Sequence, residues 1–205
     1  MIAVIDSDGR LVSRARKGDV EAFNRLISRW EKRLYNYLLR LVRNREDALD
    51  LCQEAFLKAY RSLASLEDQE KFPQWLFRIA HNQAFSHFRR DTPLENADSW
   101  PEDDGENAIA QAKSSAIPIG SSKGTSSMFA LELELTVAKA LGALPPEQQE
   151  AIALKVYNGF QFDEIAEILS CPVSTVKSRI YAGFSALRKT LAANPSARAA
   201  SDRSR

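Results

Sequence analysis

The chain has 205 residues, 44% hydrophobic and 27% charged, enough for one sizeable core or two small domains. No apolar run approaches the roughly 18 residues of a membrane span, and the opening MIAVIDSDGR has no basic stretch leading into an apolar one. Both facts argue against a secretion signal and against direct membrane insertion. The net charge of +1 hides a pattern, with +4 on residues 1–91, −7 on 92–150 and +4 on 151–205.

The first block reads as helix throughout. Phe23, Leu26, Ile27, Trp30, Leu34, Tyr37, Leu38 and Leu41 keep the 3, 4 spacing of one helix face, and Asp19 stands just before them to cap the free amides. A second helix is predicted on Ala48, Leu51, Cys52, Ala55, Phe56, Ala59 and Leu63. A third opens at Phe72-Pro73, since proline is tolerated in a first turn, and runs to Arg89-Arg90. Phe72, Trp75, Leu76 and Ile79 are its expected core residues. From Asp91 to about Ser127 the periodicity stops. "TPLENADSWPEDDGENA" is acidic and "IPIGSSKGTSS" is rich in serine and glycine, so residues 92–127 are expected to form a flexible linker between two domains.

The second block begins with Phe129, Leu131, Leu133, Leu135, Val137, Ala138 and Leu141. Pro146 is placed to open a helix that stops at Asn158-Gly159. "FDEIAEIL", the link "SCP" and an amphipathic helix to about Leu191 follow, and the tail from 193 to 205 reads as disordered. No segment alternates with period 2, so the expected fold is all-α: two small helical domains, 11–91 and 128–192, on an acidic linker.

Two helices joined by "SCP" fit a helix-turn-helix. Ile165, Leu169, Cys171, Val176 and Ile180 supply the apolar contacts, and Ala166 is small where the helices approach. That leaves Ser174, Thr175, Lys177, Ser178 and Tyr181 pointing outwards, with Arg179 at the edge. Hydroxyls and cations on one helix face suit base edges and phosphates, although a solvated face would show the same pattern. Cys171 has no second Cys or His at ligand spacing, and His81 and His87 fall on different helix faces, so no metal centre and no cofactor are expected. Two cysteines in all suit a reducing compartment, and the expected location is the cytoplasm.

The sequence resembles the extracytoplasmic-function group of bacterial sigma factors over about residues 11–191. "GDVEAFNRLISRW" resembles the opening of their first domain, and "DALDLCQEAFLKAYRSL" their polymerase-docking helix. "FPQWLFRIAHNQAFSHFRR" resembles the helix that melts and reads the −10 element. "LPPEQQEAIALKVYNGFQFDEIAEILSCPVSTVKSRIYAGFSALRK" resembles the −35-reading domain.

The resemblance implies a subunit that binds core RNA polymerase and directs promoter-specific initiation, with no enzymatic activity of its own. Asp50, Gln53, Glu54 and Leu57 would dock on the clamp helices of the largest subunit, a patch that a solvated face would also explain. Arg78, Asn82, His87, Arg89 and Arg90, among the rings of Phe77, Phe85 and Phe88, would hold phosphates and unstacked bases of the −10 element. In the family the loop before that helix, here "ASLEDQEK" (64–71), captures a flipped base. Ser174, Thr175, Lys177, Ser178, Arg179, Tyr181 and Arg188 would contact the −35 element. An anti-sigma factor, often membrane-anchored in the family, is an implied partner, and a stress response an implied setting.

The chain departs from the family at Tyr181-Ala182-Gly183-Phe184, where many members carry extra basic residues. Affinity for the −35 element would then lean on Lys177, Arg179, Arg188 and Lys189. Gln161 replaces the Ser or Thr cap usual before the first helix of the motif. Two rivals remain. One is a helix-turn-helix regulator that binds operators as a dimer without sigma activity, since response regulators end in similar "STVK" helices. The other is a non-DNA interaction module, against which the cations of 177–189 argue.

Overall fold

The structure is a computed structural model that describes residues 6–91 and 136–193. The predicted linker, residues 128–135 and the tail beyond Ala193 lie outside the described residues. Within them the chain is helical on both sides of the gap and has no strand, as the all-α expectation requires.

Contacts divide the chain into two units. The first takes the N-terminal part through Ala97 together with Glu150–Lys177; the second takes Asp98–Gln149 and Ser178–Arg205. The first unit therefore includes a segment from the far side of the predicted linker.

In the first unit, α1 (Asp8–Arg16) is capped by Ser7, whose hydroxyl accepts from the Arg10 amide at 3.3 Å. Sequence periodicity did not reveal this helix. It buries only Leu11, Val12 and Ala15 of its larger side chains and is held by distant partners. The Asp8 carboxylate accepts from Arg29 at 2.5 Å and from the Trp30 indole N–H at 3.0 Å, both on α2 (Val20–Val42). Asp19 caps α2 as expected, accepting from the Ala22 amide at 3.1 Å. Arg43 turns left-handed (φ 54°), and Asn44 accepts from the Glu46 amide to start α3, Arg45–Ser62. On α3, burial and the nearby charge of Glu31 push the Cys52 thiol up to about 11, so it stays protonated and acts as a packing group.

Two short 3₁₀ turns, Leu63–Ser65 and Gln69–Lys71, lead into α4, Phe72–Asp91. Phe72, Leu76 and Ile79 are buried, as expected. Trp75 and Phe77 trade their expected places. Trp75 is half-buried at the edge, its ring 6.2 Å from that of Phe72. Phe77 is fully buried at the centre, so it cannot receive a base. Positions 75 and 77 lie about 200° apart on a helix, and only one of them can face the core. The Phe77 ring meets Trp30 at 6.4 Å, Tyr37 at 5.2 Å and Phe160 at 5.0 Å. Phe77→Ala is expected to destabilise the protein by about 3–5 kcal/mol. Urea titration followed by circular dichroism reads this, and a loss below about 1 kcal/mol would show that the ring cluster holds little.

The 150–177 segment enters through the end of α6 (Pro146–Ile152), which widens into a π turn, Ala153–Tyr157. Gly159, at φ 79°, allows the reversal that sequence placed there. α7 (Phe162–Leu169) packs along α4. At its start the Gln161 amide donates to the Glu164 carboxylate at 2.7 Å, which supports the weaker cap.

In the second unit, α5 (residues 136–142) buries Ala140 and leads to buried Leu144. The Pro145 carbonyl accepts from the Gln148 and Gln149 amides at 2.9 and 3.0 Å, and the Gln149 side-chain amide donates back to the Leu144 carbonyl at 2.6 Å. From Ser178 onward the unit carries the rest of α8 (Val173–Ala193), where Ile180 and Gly183 are buried.

Candidate partner and nucleic-acid interfaces

α3 turns Ala48, Leu51, Cys52, Ala55 and Phe56 inward, which leaves Asp50, Gln53, Glu54 and Leu57 on the opposite side, all exposed. Leu57 is 51% exposed, beside Leu49 at 50% and Tyr60 at 44%. One helix thus combines two carboxylates with three large exposed apolar groups, a composition suited to a protein partner.

A groove of about 360 Å³ runs between α3 and α4. Asp50, Glu54 and Lys58 line one wall, and Asn82, Gln83 and His87 the other. The structure thus brings part of the docking set and part of the −10 set to one groove. His87 Nε2 stands 3.9 Å from Asp47 Oδ1. Arg78 and Asn82, one turn apart on α4, are both exposed, while Phe85, His87 and Phe88 are half-buried. Arg89 and Arg90 fall in the last turn of α4, with side chains outside the described residues.

The 64–71 loop is held from beneath by Arg16 of α1, a residue that sequence reading did not single out. Its guanidinium donates to the Leu63 carbonyl at 3.0 Å and to that of Leu66. Ser7 donates to Glu70 at 3.2 Å, and the Asp68 carboxylate caps the second 3₁₀ turn.

In the helix-turn-helix, Ser170 adopts a left-handed conformation (φ 51°) and the Cys171 amide returns to the Ala166 carbonyl. The Pro172 carbonyl accepts from the Thr175 and Val176 amides, so the proline stands immediately before the first turn of α8. Ile165, Leu169 and Val176 are buried and Cys171 is half-buried. Along α8, Val176, Ile180 and Gly183 form the buried stripe. Ser174, Lys177, Ser178, Tyr181, Arg188 and Lys189 are exposed, and Thr175 and Arg179 are half-buried. The Lys177 ammonium lies 5.7 Å from the centre of the Phe162 ring, which Lys155 also approaches at 4.8 Å.

Sequence reading also missed a buried polar cluster. The Tyr37 hydroxyl donates to Glu150 Oε1 at 2.5 Å, and His81 Nδ1 lies 2.8 Å from the same oxygen. The available signal was position: His81 falls one turn after Phe77 and Glu150 one turn before Leu154, polar groups on otherwise apolar faces. Among the described residues no cluster of His, Cys, Asp and Glu could hold a metal ion, and no helix is long and apolar enough to cross a membrane.

Residues 26–93 match the family described as Sigma-70 region 2, and residues 134–187 match Sigma-70, region 4. The chain is 32% identical to the RNA polymerase sigma-H factor of Pseudomonas aeruginosa over 91% of its own length and 94% of that protein. It is 35% identical to the ECF RNA polymerase sigma-E factor of Haemophilus influenzae, over 85% of this chain and 90% of that one. The fold is similar to that of a solved Bartonella quintana sigma factor, RpoE, in complex with the anti-sigma factor NepR. There the TM-score is 0.59 at 24% identity, covering 82% of this chain and 96% of the other. Helices, turn and sequence together define a sigma factor of the sigma-70 class. Within that class the chain belongs to the extracytoplasmic-function group. It is an alternative sigma factor, a transcription initiation factor rather than an enzyme.

Proposed function

We propose a division of labour among the named residues. Asp50, Gln53, Glu54 and Leu57 dock on the clamp helices of the polymerase largest subunit. Arg78, Asn82, His87, Arg89 and Arg90 hold the melted −10 strand, and Ser174, Thr175, Lys177, Ser178, Arg179, Tyr181 and Arg188 contact the −35 element. The domains 11–91 and 128–192 act at separate promoter elements, joined by the acidic 92–127 stretch. The observation that carries this reading is the exposed row of hydroxyls and cations on α8 opposite its buried Val176, Ile180 and Gly183 stripe. The protein works in the cytoplasm, where an anti-sigma factor covers its docking surface. The exposed Leu49, Leu57 and Tyr60 support such a cover, as does the fold-level likeness to a sigma factor solved with its anti-sigma factor. A membrane anchor on that partner follows from the family resemblance alone.

Run-off transcription with purified core polymerase tests the assignment. The expected result is a promoter-specific transcript that requires both proteins, with weak duplex binding by the free protein. A net charge of only +4 at each end of the chain gives few phosphate contacts, and each one made weakens as salt rises. Tight, sequence-specific duplex binding at physiological salt without core, and no transcript with it, would favour the operator-binding regulator.

A further inference from the structure

α1 lies outside the stretch matched by the region 2 family, which starts at residue 26. Its side chains nevertheless converge on one distant target, the 63–71 stretch between α3 and α4. The Arg16 guanidinium donates to three carbonyls there, those of Leu63 at 3.0 Å, Ala64 at 3.5 Å and Leu66. At the other end of α1 the Ser7 hydroxyl donates to the Glu70 carboxylate at 3.2 Å. Gly9, buried in the first turn of α1, makes room for that carboxylate, since a Cβ there would stand 2.7 Å from the Glu70 carboxyl carbon.

The bonds within the loop are all short-range. Ser65 Oγ donates to the Ser62 carbonyl at 2.7 Å, the Leu66 amide to the Leu63 carbonyl at 3.3 Å and the Glu70 amide to Asp68 at 3.0 Å. Each closes one 3₁₀ turn on itself. What holds the two turns at a fixed offset, besides the buried Leu66 side chain, is α1, with Arg16 on the first turn and Ser7 and Gly9 on the second.

Between the two turns Glu67 and Asp68 are exposed. The loop ends at Lys71, which begins a row with Trp75, Arg78 and Asn82 at the 4, 3, 4 spacing of one helix face, all of them exposed or half-buried. Arg78 and Asn82 belong to the set proposed above to hold the melted −10 strand. The loop therefore stands at the end of that row, where a base leaving the stack would arrive.

We propose that Arg16, Ser7 and Gly9 are positioning residues for −10 recognition: from α1 they preset the 64–71 loop in the shape that receives an unstacked base. This rests on the −10 reading above. A preset loop loses little conformational freedom when the base enters, so bracing appears as affinity for that base. A loop released from α1 has to order itself at the same moment and binds more weakly.

Arg16→Ala removes the three bonds to the first turn. Gly9→Ala displaces the Glu70 carboxylate while favouring the helical backbone of α1. In the free full-length protein, amide exchange over residues 63–71 should quicken at least about tenfold in Arg16→Ala, and unchanged exchange there would overturn the brace.

The holoenzyme is then titrated with single-stranded oligonucleotides of the −10 strand of a promoter it transcribes, each with one nucleotide made abasic. Wild type should show a position where loss of the base costs roughly tenfold or more in affinity. Both variants should bind the intact strand about as weakly as wild type binds that abasic one, and should be nearly indifferent to removal of the same base. Core polymerase should co-purify with them as with wild type. An unaltered base penalty in both variants would overturn the proposal. So would an equal loss on every oligonucleotide, abasic ones included, which is what a merely loosened domain gives. A wild type with no base-sensitive position would instead overturn the −10 reading, and the proposal with it, even where exchange shows the loop braced.

Discussion

Reversing the charge of Asp50 and Glu54 to lysine should abolish co-purification with core polymerase while leaving helix content unchanged. Both carboxylates are exposed on α3, one turn apart, and line the groove beside α4. Neither touches the buried Ala48, Leu51, Ala55 and Phe56 face that holds the helix in place. On docking, the pair would be desolvated against a surface of opposite sign. A like charge in that setting costs several kcal/mol, a loss of more than about a hundredfold in affinity. Leu57, at 51% exposure, would supply the apolar anchor beside them. Pull-down on tagged core with the double variant is the measurement, paired with far-UV circular dichroism. Recovery at wild-type levels would remove the docking role from this face. A folded variant that fails to bind would also lose run-off activity on every promoter, unlike a variant altered in DNA reading.

How far a residue's place can be read from sequence depends on whether its signal is local. Elements whose signals are local were legible. Asp19 caps α2, Pro146 opens α6, Gly159 takes its left-handed turn, and "FDEIAEIL" forms α7 over its whole length. α1 escaped because its few buried side chains carry little periodicity. Its anchors are the pairs of Asp8 with Arg29 and Trp30, and Arg16 on carbonyls of the 63–66 stretch. The choice between Trp75 and Phe77 was set by which neighbours arrive from α2 and from Phe160, and the spacing within α4 carries no such information.

The placements of exposed groups were better than those of buried polar ones. A helix stripe of apolar residues defines its own outside, so Asp50, Gln53, Glu54, Leu57, Ser174, Lys177 and Tyr181 all emerge at the surface as expected. Glu150 shows the opposite case. In "PEQQEAIAL" it reads as one more polar residue of a first turn, and its partner Tyr37 is 113 positions away. Only the assembled fold makes it a buried carboxylate, and thereby a point where two separately matched segments are held together.

The second large effect concerns α8, where Lys177 and Arg179 should separate into different roles. Lys177 is exposed, and its ammonium, 5.7 Å from the centre of the Phe162 ring, can exchange that ring for a phosphate or a guanine edge. Arg179 is half-buried at the edge of the stripe, so its guanidinium has a shorter reach and its stem contributes to packing. Lys177→Ala is expected to cost about 1–3 kcal/mol and to relax selection at one −35 position if the residue reads a base edge. If it touches phosphate alone, every promoter weakens alike and the salt slope falls by about one unit. Arg179→Ala should show the phosphate pattern together with a lowered melting temperature. Selection from promoters randomised across the −35 element, repeated at several salt concentrations and set beside thermal melts, distinguishes these results. The small side chains of Ser174 and Ser178 flank Lys177 on the helix and allow the backbone to approach the groove closely, so bulky replacements there should weaken binding without changing the salt slope. Wild-type selection and salt dependence in both alanine variants would mean that this face of α8 meets something other than DNA.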